Sequence, residues 1–161
     1  MSFGLFAFIL VHVALSLVGI VSGLVWLAGL LGRPIHTRWT HVFLATTTLT
    51  TLTGFLLPFS SLTPAVAVGL VSTALLAVAL AAYYRFHLAG FWRPVFVVTA
   101  LIALYLNVFV LVVQSFLKIG PLNALAPTGS EPPFAAVQAV VLVLFVIAGF
   151  QALRRNRGAI A

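Results

Sequence analysis

Five long apolar stretches run along this chain, separated by short segments rich in glycine, proline or arginine. Each stretch is long enough to cross roughly 30 Å of hydrocarbon as a helix, and a helix satisfies its own backbone hydrogen bonds there. The pattern predicts an all-α fold, an integral membrane bundle of five transmembrane helices in one domain, 1–161. The predicted spans are 3–31, 40–59, 63–87, 91–117 and 133–153.

Basic residues predict the orientation, because cytoplasmic loops of membrane proteins carry an excess of lysine and arginine. Seven of the eight basic residues lie in the first loop, around the third loop or in the tail, and Lys118 lies on the opposite side. The N-terminus is therefore predicted outside and the C-terminus in the cytoplasm. The first stretch is too long for a signal peptide and is expected to be retained.

The longest connection, 118–132, is predicted to be an ordered outer loop. Its three prolines restrict the backbone and lower the entropy lost on ordering. Its leucines and alanines are poorly suited to a freely solvated linker. The loop is therefore expected to cap the outer mouth of the bundle, with Glu131 close to Lys118.

Composition supports a surface that faces lipid. Hydrophobic residues make up 63% of the 161 positions and charged residues 6%, whereas soluble domains carry about a quarter charged residues. The net charge of +7 is distributed between apolar runs rather than gathered on one face, so nucleic acid is not an expected partner. The expected partners are the lipid bilayer and either another membrane protein or a second copy of the chain.

Several catalytic chemistries are excluded by composition. The chain has no cysteine, and Glu131 is its one acidic side chain. Thiolate metal sites, paired acid–base carboxylates and a Ser-His-Asp triad cannot be built within such a chain. The sequence therefore favours a non-enzymatic bundle without a cofactor, which binds or passes a small molecule or serves as an accessory membrane subunit.

Polar side chains at similar depths in different predicted helices form the candidate ligand site. Counted inward from the outer helix ends, they lead from the outer surface towards the bilayer midplane. The candidate residues are His12, Thr50, Thr51, Asn107, Gln114 and Gln138. Polar groups are costly inside a membrane, which makes them functional candidates. The alternative is that these groups form only interhelical hydrogen bonds.

Small and hydroxylated residues also predict close helix packing. Gly19 and Gly23 form a GxxxG pattern on the helix face that carries His12, and small residues let helix backbones approach. The second predicted helix holds six threonines between 46 and 53. Each threonine can donate its hydroxyl hydrogen to its own helix backbone, so a packed seam needs no ligand.

Histidines raise an alternative function, a membrane redox protein that holds b-type haem or exchanges electrons with quinone. A membrane b-type cytochrome holds iron between imidazoles of different helices. The alternative haem ligands are His41 and His87, with His12 next. His41 and His87 bound the second and third predicted helices, and their depths differ by roughly 9 Å.

Three stretches carry a resemblance to a known family: 53–59, 85–90 and 106–134. They resemble a family of small multi-spanning proteobacterial membrane proteins of unassigned function, over nearly the whole chain. The resemblance implies a bacterial cytoplasmic (inner) membrane. It implies no catalytic or binding residue.

Overall fold

The computed structural model describes residues 3–32, 37–57 and 64–157, and the regular structure in those ranges is helical. The helices are α1 (Phe3–Leu30), α2 (Arg38–Phe55), α3 (Pro64–Leu80), α4 (Trp92–Lys118), α5 (Gly120–Leu125) and α6 (Pro132–Arg157). The all-α prediction is confirmed for this part of the chain. Residues 33–36 of the first predicted loop and the connection at 58–63 between the second and third predicted spans lie outside the described residues.

Four of the described helices are long and apolar enough to cross a membrane. They are Phe3–Leu30, Val66–Arg85, Trp92–Lys118 and Pro132–Arg155, which correspond to four of the five predicted spans. α2 is less apolar, because threonine occupies seven of its 18 positions and Arg38 and His41 lie in its first turn. These helices agree with a multi-pass membrane protein.

α2 lies antiparallel to α1 over most of its length. Near one end of the pair, a Cβ atom added to Gly23 would lie 2.9 Å from the Phe43 ring. Near the other end, the His12 imidazole is 2.9 Å from the Thr53 hydroxyl. Contacts so far apart along both helices place α1 and α2 at the same depth in the bundle.

The expected close packing at the GxxxG pattern is present. A Cβ atom added to Gly19 would lie 3.1 Å from Thr47 Oγ1, and one added to Gly23 would lie 2.5 Å from Leu104 Cδ1. Real Cβ atoms do not approach other atoms as closely as 2.5 Å, so only glycine fits at position 23 without movement of its neighbours. The pattern therefore brings α1 against both α2 and α4.

α4 is the central helix, with contacts to α1, α2, α3, α5 and α6. The core lies where α1, α2 and α4 meet. Trp26 stacks on Phe43 with ring centroids 5.3 Å apart and meets Phe96 edge-on at 5.7 Å. Leu44 and Leu104 are fully buried beside these rings.

The outward helix faces are strongly apolar. On α6, Val140, Leu144 and Val146 expose 59%, 59% and 62% of their surface. Soluble proteins rarely leave such side chains exposed in a continuous band, whereas lipid solvates them well. This surface fits the membrane-spanning character of the helix.

α3 ends in an unusual turn. It continues as a π-helical segment, Ala81–Arg85, and the Phe86 amide donates to the Ala81 carbonyl at 3.0 Å. His87 and Leu88 follow in left-handed conformations, with φ of 50° and 57°. Helical structure therefore ends at Arg85, two residues before the predicted end of the third span, because a left-handed residue cannot continue a right-handed helix.

One end of the bundle gathers arginines and aromatic rings and is called the arginine end. The Arg155 guanidinium on α6 donates a hydrogen bond to the Leu31 carbonyl that follows α1, so these helix ends lie together. Trp92 at the start of α4 stacks on Phe86 with centroids 3.9 Å apart. Tyr84 also lies at this end, beside His41.

The opposite end carries α5 and is called the α5 end. The predicted loop contains this short helix, and Asn123 Nδ2 donates to the Phe116 carbonyl at 3.2 Å, which fixes α5 to α4. The Glu131 carboxylate accepts hydrogen bonds from Thr128 and Ser130 rather than pairing with Lys118. The Ser130 and Thr128 amides lie one and three residues before Glu131 in the chain. A hydrogen bond to them does not require the long Lys118 side chain to be ordered, so it is preferred over an ion pair with Lys118.

Candidate functional site

A cavity of ≈ 190 Å³ lies between α1, α2, α3 and α4 in the half of the bundle nearer the α5 end. Seven polar residues line it: His12, Ser16, Thr50, Thr51, Ser72, Asn107 and Gln114. Apolar side chains complete the wall, among them Phe55, Leu57, Val66, Val68 and Val110. The cavity is therefore a mostly apolar space with polar groups from four helices.

The structure brings together five of the six residues predicted from the sequence as a ligand site: His12, Thr50, Thr51, Asn107 and Gln114. Gln138 lies apart from them, where α6 packs on α4. Its Nε2 atom donates to the Phe109 carbonyl at 3.2 Å, and its Oε1 atom is buried without a partner among the described residues. Gln138 was predicted to share the site because of its depth, but it lies on a different side of α4 from the cavity. Residues at the same depth therefore need not line the same cavity.

The His12 ring is held against α2. Its Nδ1 atom lies 2.9 Å from the Thr53 hydroxyl oxygen, and its Cε1 atom would lie 3.5 Å from a Cβ atom added to Gly54. A Cβ atom at position 54 would be in ordinary van der Waals contact with the ring, so the imidazole lies close to the α2 backbone. The ring is fixed at the boundary between α1, α2 and the cavity.

Three of the seven threonines of α2 donate their hydroxyl hydrogens to their own helix, as the sequence predicts. The hydroxyls of Thr46, Thr51 and Thr53 donate to backbone carbonyls four residues earlier, at 2.7, 3.0 and 2.7 Å. Thr48 and Thr50 differ, because their hydroxyls are buried and have no partner among the described residues. A buried hydroxyl without a partner is costly, on the order of 1–3 kcal/mol. Of the two residues, Thr50 lines the cavity.

Asn107 links α4 to α2 at the inner limit of the cavity. Its Nδ2 atom lies 3.5 Å from Thr47 Oγ1, and Thr47 is only 1% exposed. A distance of 3.5 Å is long for a hydrogen bond, so the bond is weak. The amide is therefore positioned at the cavity without being committed to a strong protein partner.

The cavity carries no charged side chain among the described residues that line it. Transfer of an ion from water into such an environment is expensive unless an opposite charge compensates it. Hydroxyl, amide and neutral imidazole groups can instead form hydrogen bonds with an uncharged molecule. The electrostatics of the site favour neutral ligands.

His41 and His87 line a separate depression of ≈ 370 Å³ at the arginine end, together with Tyr83, Tyr84 and Leu88. His41 Nδ1 lies 2.7 Å from the Tyr84 hydroxyl, and the Tyr83 ring packs edge-on against His41 at 5.4 Å. Both imidazoles are exposed, and His87 lies beyond the helix end.

This arrangement does not fit a haem clamped between helices. Such a haem needs two imidazoles that face each other across an interhelical slot. At the arginine end, one imidazole is on α2, the other is in a turn, and tyrosine rings occupy the space beside His41. In the cavity, His12 contributes the one imidazole among the described lining residues.

Three residues of the site are outside the set predicted from the sequence. Ser16 and Ser72 line the cavity from α1 and α3, and Thr53 holds His12 in place from α2. Ser72 lies three residues after Gly69, so both fall on one helix face, but such a pair is common wherever helices pack. Thr53 belongs to the predicted threonine seam, and its pairing with His12 depends on the register of α1 against α2.

Comparison of the sequence with models of known protein families finds no match, and comparisons with curated proteins and solved structures find none either. The resemblance to a proteobacterial membrane family therefore stays a prediction.

Proposed function

We propose that this chain is a five-span protein of a bacterial inner membrane that binds or passes a small uncharged molecule through the cavity at its α5 end. The observation that carries the proposal is one uncharged cavity lined by groups from four helices. Five of its polar residues lie at similar depths along the helices predicted from the sequence, which is why they were predicted to share a site.

α2 is proposed as the fifth span. At about 1.5 Å of rise per residue, its 18 residues extend about 27 Å, close to the thickness of the hydrocarbon. It lies at the same depth as α1, and several of its threonine hydroxyls are satisfied by backbone carbonyls. Its polar composition is therefore compatible with a position inside the bundle, where α1, α3 and α4 contact it.

The α5 end is proposed to face the periplasm. Arg38, Arg85 and Arg155 lie at helix ends of the arginine end, whereas Lys118 lies at the α5 end. The excess of arginine at one end supports a cytoplasmic location for it. The cavity then lies in the outer half of the membrane.

The cavity supports a ligand role over a purely accessory one. An accessory subunit is expected to pack its buried polar groups tightly against each other, leaving no space. A cavity of ≈ 190 Å³ has the volume of about six water molecules in the liquid. That space admits a small solute, and the exposed Gln114 at its α5 side offers a route from outside.

Single cysteines test this proposal sharply, because the chain has no cysteine of its own. Gln114→Cys and Ser72→Cys should react with a small membrane-impermeant thiol reagent added from the periplasmic side. Ser22→Cys is the matched control: Ser22 is fully buried on α1 and its hydroxyl donates to the Val18 carbonyl, so it should stay unreactive. Equal protection of all three cysteines, or reaction only from the cytoplasmic side, would overturn the proposal.

A further inference from the structure

We infer that the ligand is a neutral alcohol or phenol whose hydroxyl group donates a hydrogen bond to Nε2 of His12. This inference rests on the proposed function, because it assigns the ligand of the same cavity. It comes from the proton positions that the hydrogen bonds of α2 impose on the imidazole.

The Thr53 hydroxyl has a single hydrogen, and its geometry commits that hydrogen to α2. Thr53 Oγ1 lies 2.7 Å from the Leu49 carbonyl oxygen, which can only accept. His12 Nδ1 lies 2.9 Å from the same Thr53 oxygen. Since the hydroxyl hydrogen is used, Nδ1 must carry a hydrogen and donate it to the Thr53 oxygen.

A neutral imidazole carries one N–H group, so Nε2 of His12 then holds a free lone pair. Nε2 has no hydrogen-bond partner among the described residues, although His12 lines the cavity. The Thr53 contact thereby makes His12 an acceptor towards the cavity. A ligand that pairs with it has to donate a hydrogen.

Thr50 lines the same cavity from α2, but its hydroxyl does not face the open space. Its side chain is 7% exposed, and its Oγ1 atom is buried without a partner among the described residues. The inferred contact of the ligand is therefore with the imidazole of His12.

The polarity of the remaining cavity wall indicates the chemistry of the rest of the ligand. Val66, Val68 and Val110 form apolar wall, so the body of the molecule is apolar. An ether or ketone of the same shape lacks a donor and leaves the Nε2 lone pair unpaired, which weakens binding. An ion is disfavoured, since the described lining carries no opposite charge.

Nitrogen NMR of histidine-labelled protein in lipid nanodiscs tests the proton positions in the unaltered chain. The His12 signals, assigned by their loss in His12→Phe, should show a protonated Nδ1 and an unprotonated Nε2. Phenol should move the Nε2 signal towards that of a protonated nitrogen. A protonated Nε2 in the absence of ligand would overturn the inference.

Two matched probes test the ligand class, phenol and its methyl ether, methoxybenzene. Phenol should bind about 3- to 10-fold more tightly than the ether, the difference expected for one neutral hydrogen bond. The preference should vanish in His12→Phe and persist in Ser115→Ala, which alters a hydroxyl outside the cavity lining that bonds to its own helix at 2.8 Å. Equal binding of both probes would overturn the inference and leave the proposed function standing, whereas binding of neither would overturn both.

Discussion

His12 on α1 and Thr53 on α2 form a hydrogen bond of 2.9 Å between Nδ1 and Oγ1, beside the cavity that four helices enclose. The bond joins residues 41 positions apart in the chain. It fixes the register of α1 against α2 and the orientation of the imidazole at the same time. The proposed ligand contact therefore depends on the same hydrogen bond that joins the two helices.

Removal of this bond should weaken the bundle modestly. Thr53→Val keeps the shape of the side chain and deletes the hydroxyl, so His12 Nδ1 loses its partner. Interhelical hydrogen bonds in membranes contribute about 0.6 kcal/mol on average and rarely more than about 1.7 kcal/mol. We expect a loss of that size in the free energy of unfolding, measured by steric trapping in bicelles.

Thr73→Val is the matched control for that variant. Thr73 is an exposed threonine whose hydroxyl donates to the Gly69 carbonyl of its own helix at 2.8 Å. It should change the free energy of unfolding much less than Thr53→Val does. Equal effects of the two variants would show that the interhelical bond contributes nothing.

Gly23→Ala should destabilise the protein more than Gly4→Ala or Gly19→Ala does. The added Cβ atom would lie 2.5 Å from Leu104 Cδ1 and 2.9 Å from two atoms of the Phe43 ring. Overpacking of a well-packed core costs typically about 1–3 kcal/mol. Gly4→Ala is the control, because nothing lies within 4 Å of its Cβ position. A thermal unfolding midpoint that is the same for both variants would contradict the packing described for α1, α2 and α4.

The turn at the α5 end should titrate at unusually low pH. Backbone donation from Thr128, helped by its hydroxyl and by the Ser130 amide, lowers the pKa of Glu131 from 4.5 to about 2. Because the folded pKa lies below the unfolded one, the stabilisation is complete above about pH 4.5 and is lost as the pH falls through about 2.

Amide proton shifts measure that titration directly. The Thr128 and Ser130 amides donate to Glu131 at 2.9 and 3.0 Å, so their signals should move with a midpoint near 2. In Glu131→Gln the same signals should not titrate. A midpoint near 4.5 in the unaltered protein would mean that these hydrogen bonds do not form in solution.

The sequence predicts those parts of the fold that depend on the length of an apolar stretch. α1, α4 and α6 begin and end within four residues of the predicted spans, since glycine, proline and charged residues mark their limits. α5 was predicted only as ordered loop, because six residues are too few to give a helical pattern. The π-helical turn after Leu80 had no signal either, since its residues suit an ordinary helix equally well.

The candidate site could be predicted only in part. Depth along each helix brought His12, Thr51 and Asn107 to one level, and the structure places all three around one cavity. Gln138 instead faces the Phe109 carbonyl on α4, outside the cavity. Its depth in the membrane does not predict which way that face of α6 is turned. The Thr53 contact depends on helix register, which the broad threonine face of α2 leaves open.

Purified protein is expected to be colourless after expression with added haem. His41 is on α2 and His87 is in the turn after Arg85, both are exposed, and Tyr83 and Tyr84 pack beside His41. An absorption spectrum of one purified sample shows whether the protein holds haem. A Soret band that disappears in His41→Ala and His87→Ala would contradict this account and favour the redox alternative.

Ligand protection of a cavity cysteine tests the central claim, that the cavity holds small uncharged molecules. The reporter is Ser72→Cys, whose reaction rate with a small thiol reagent is measured with and without a solute. Benzyl alcohol should slow the reaction, whereas benzoate and benzylammonium at the same concentration should not. A control cysteine at Ser115, outside the cavity lining, should react at one rate throughout. Protection by the ions as strong as that by the alcohol, or protection by none of the three solutes, would contradict the account.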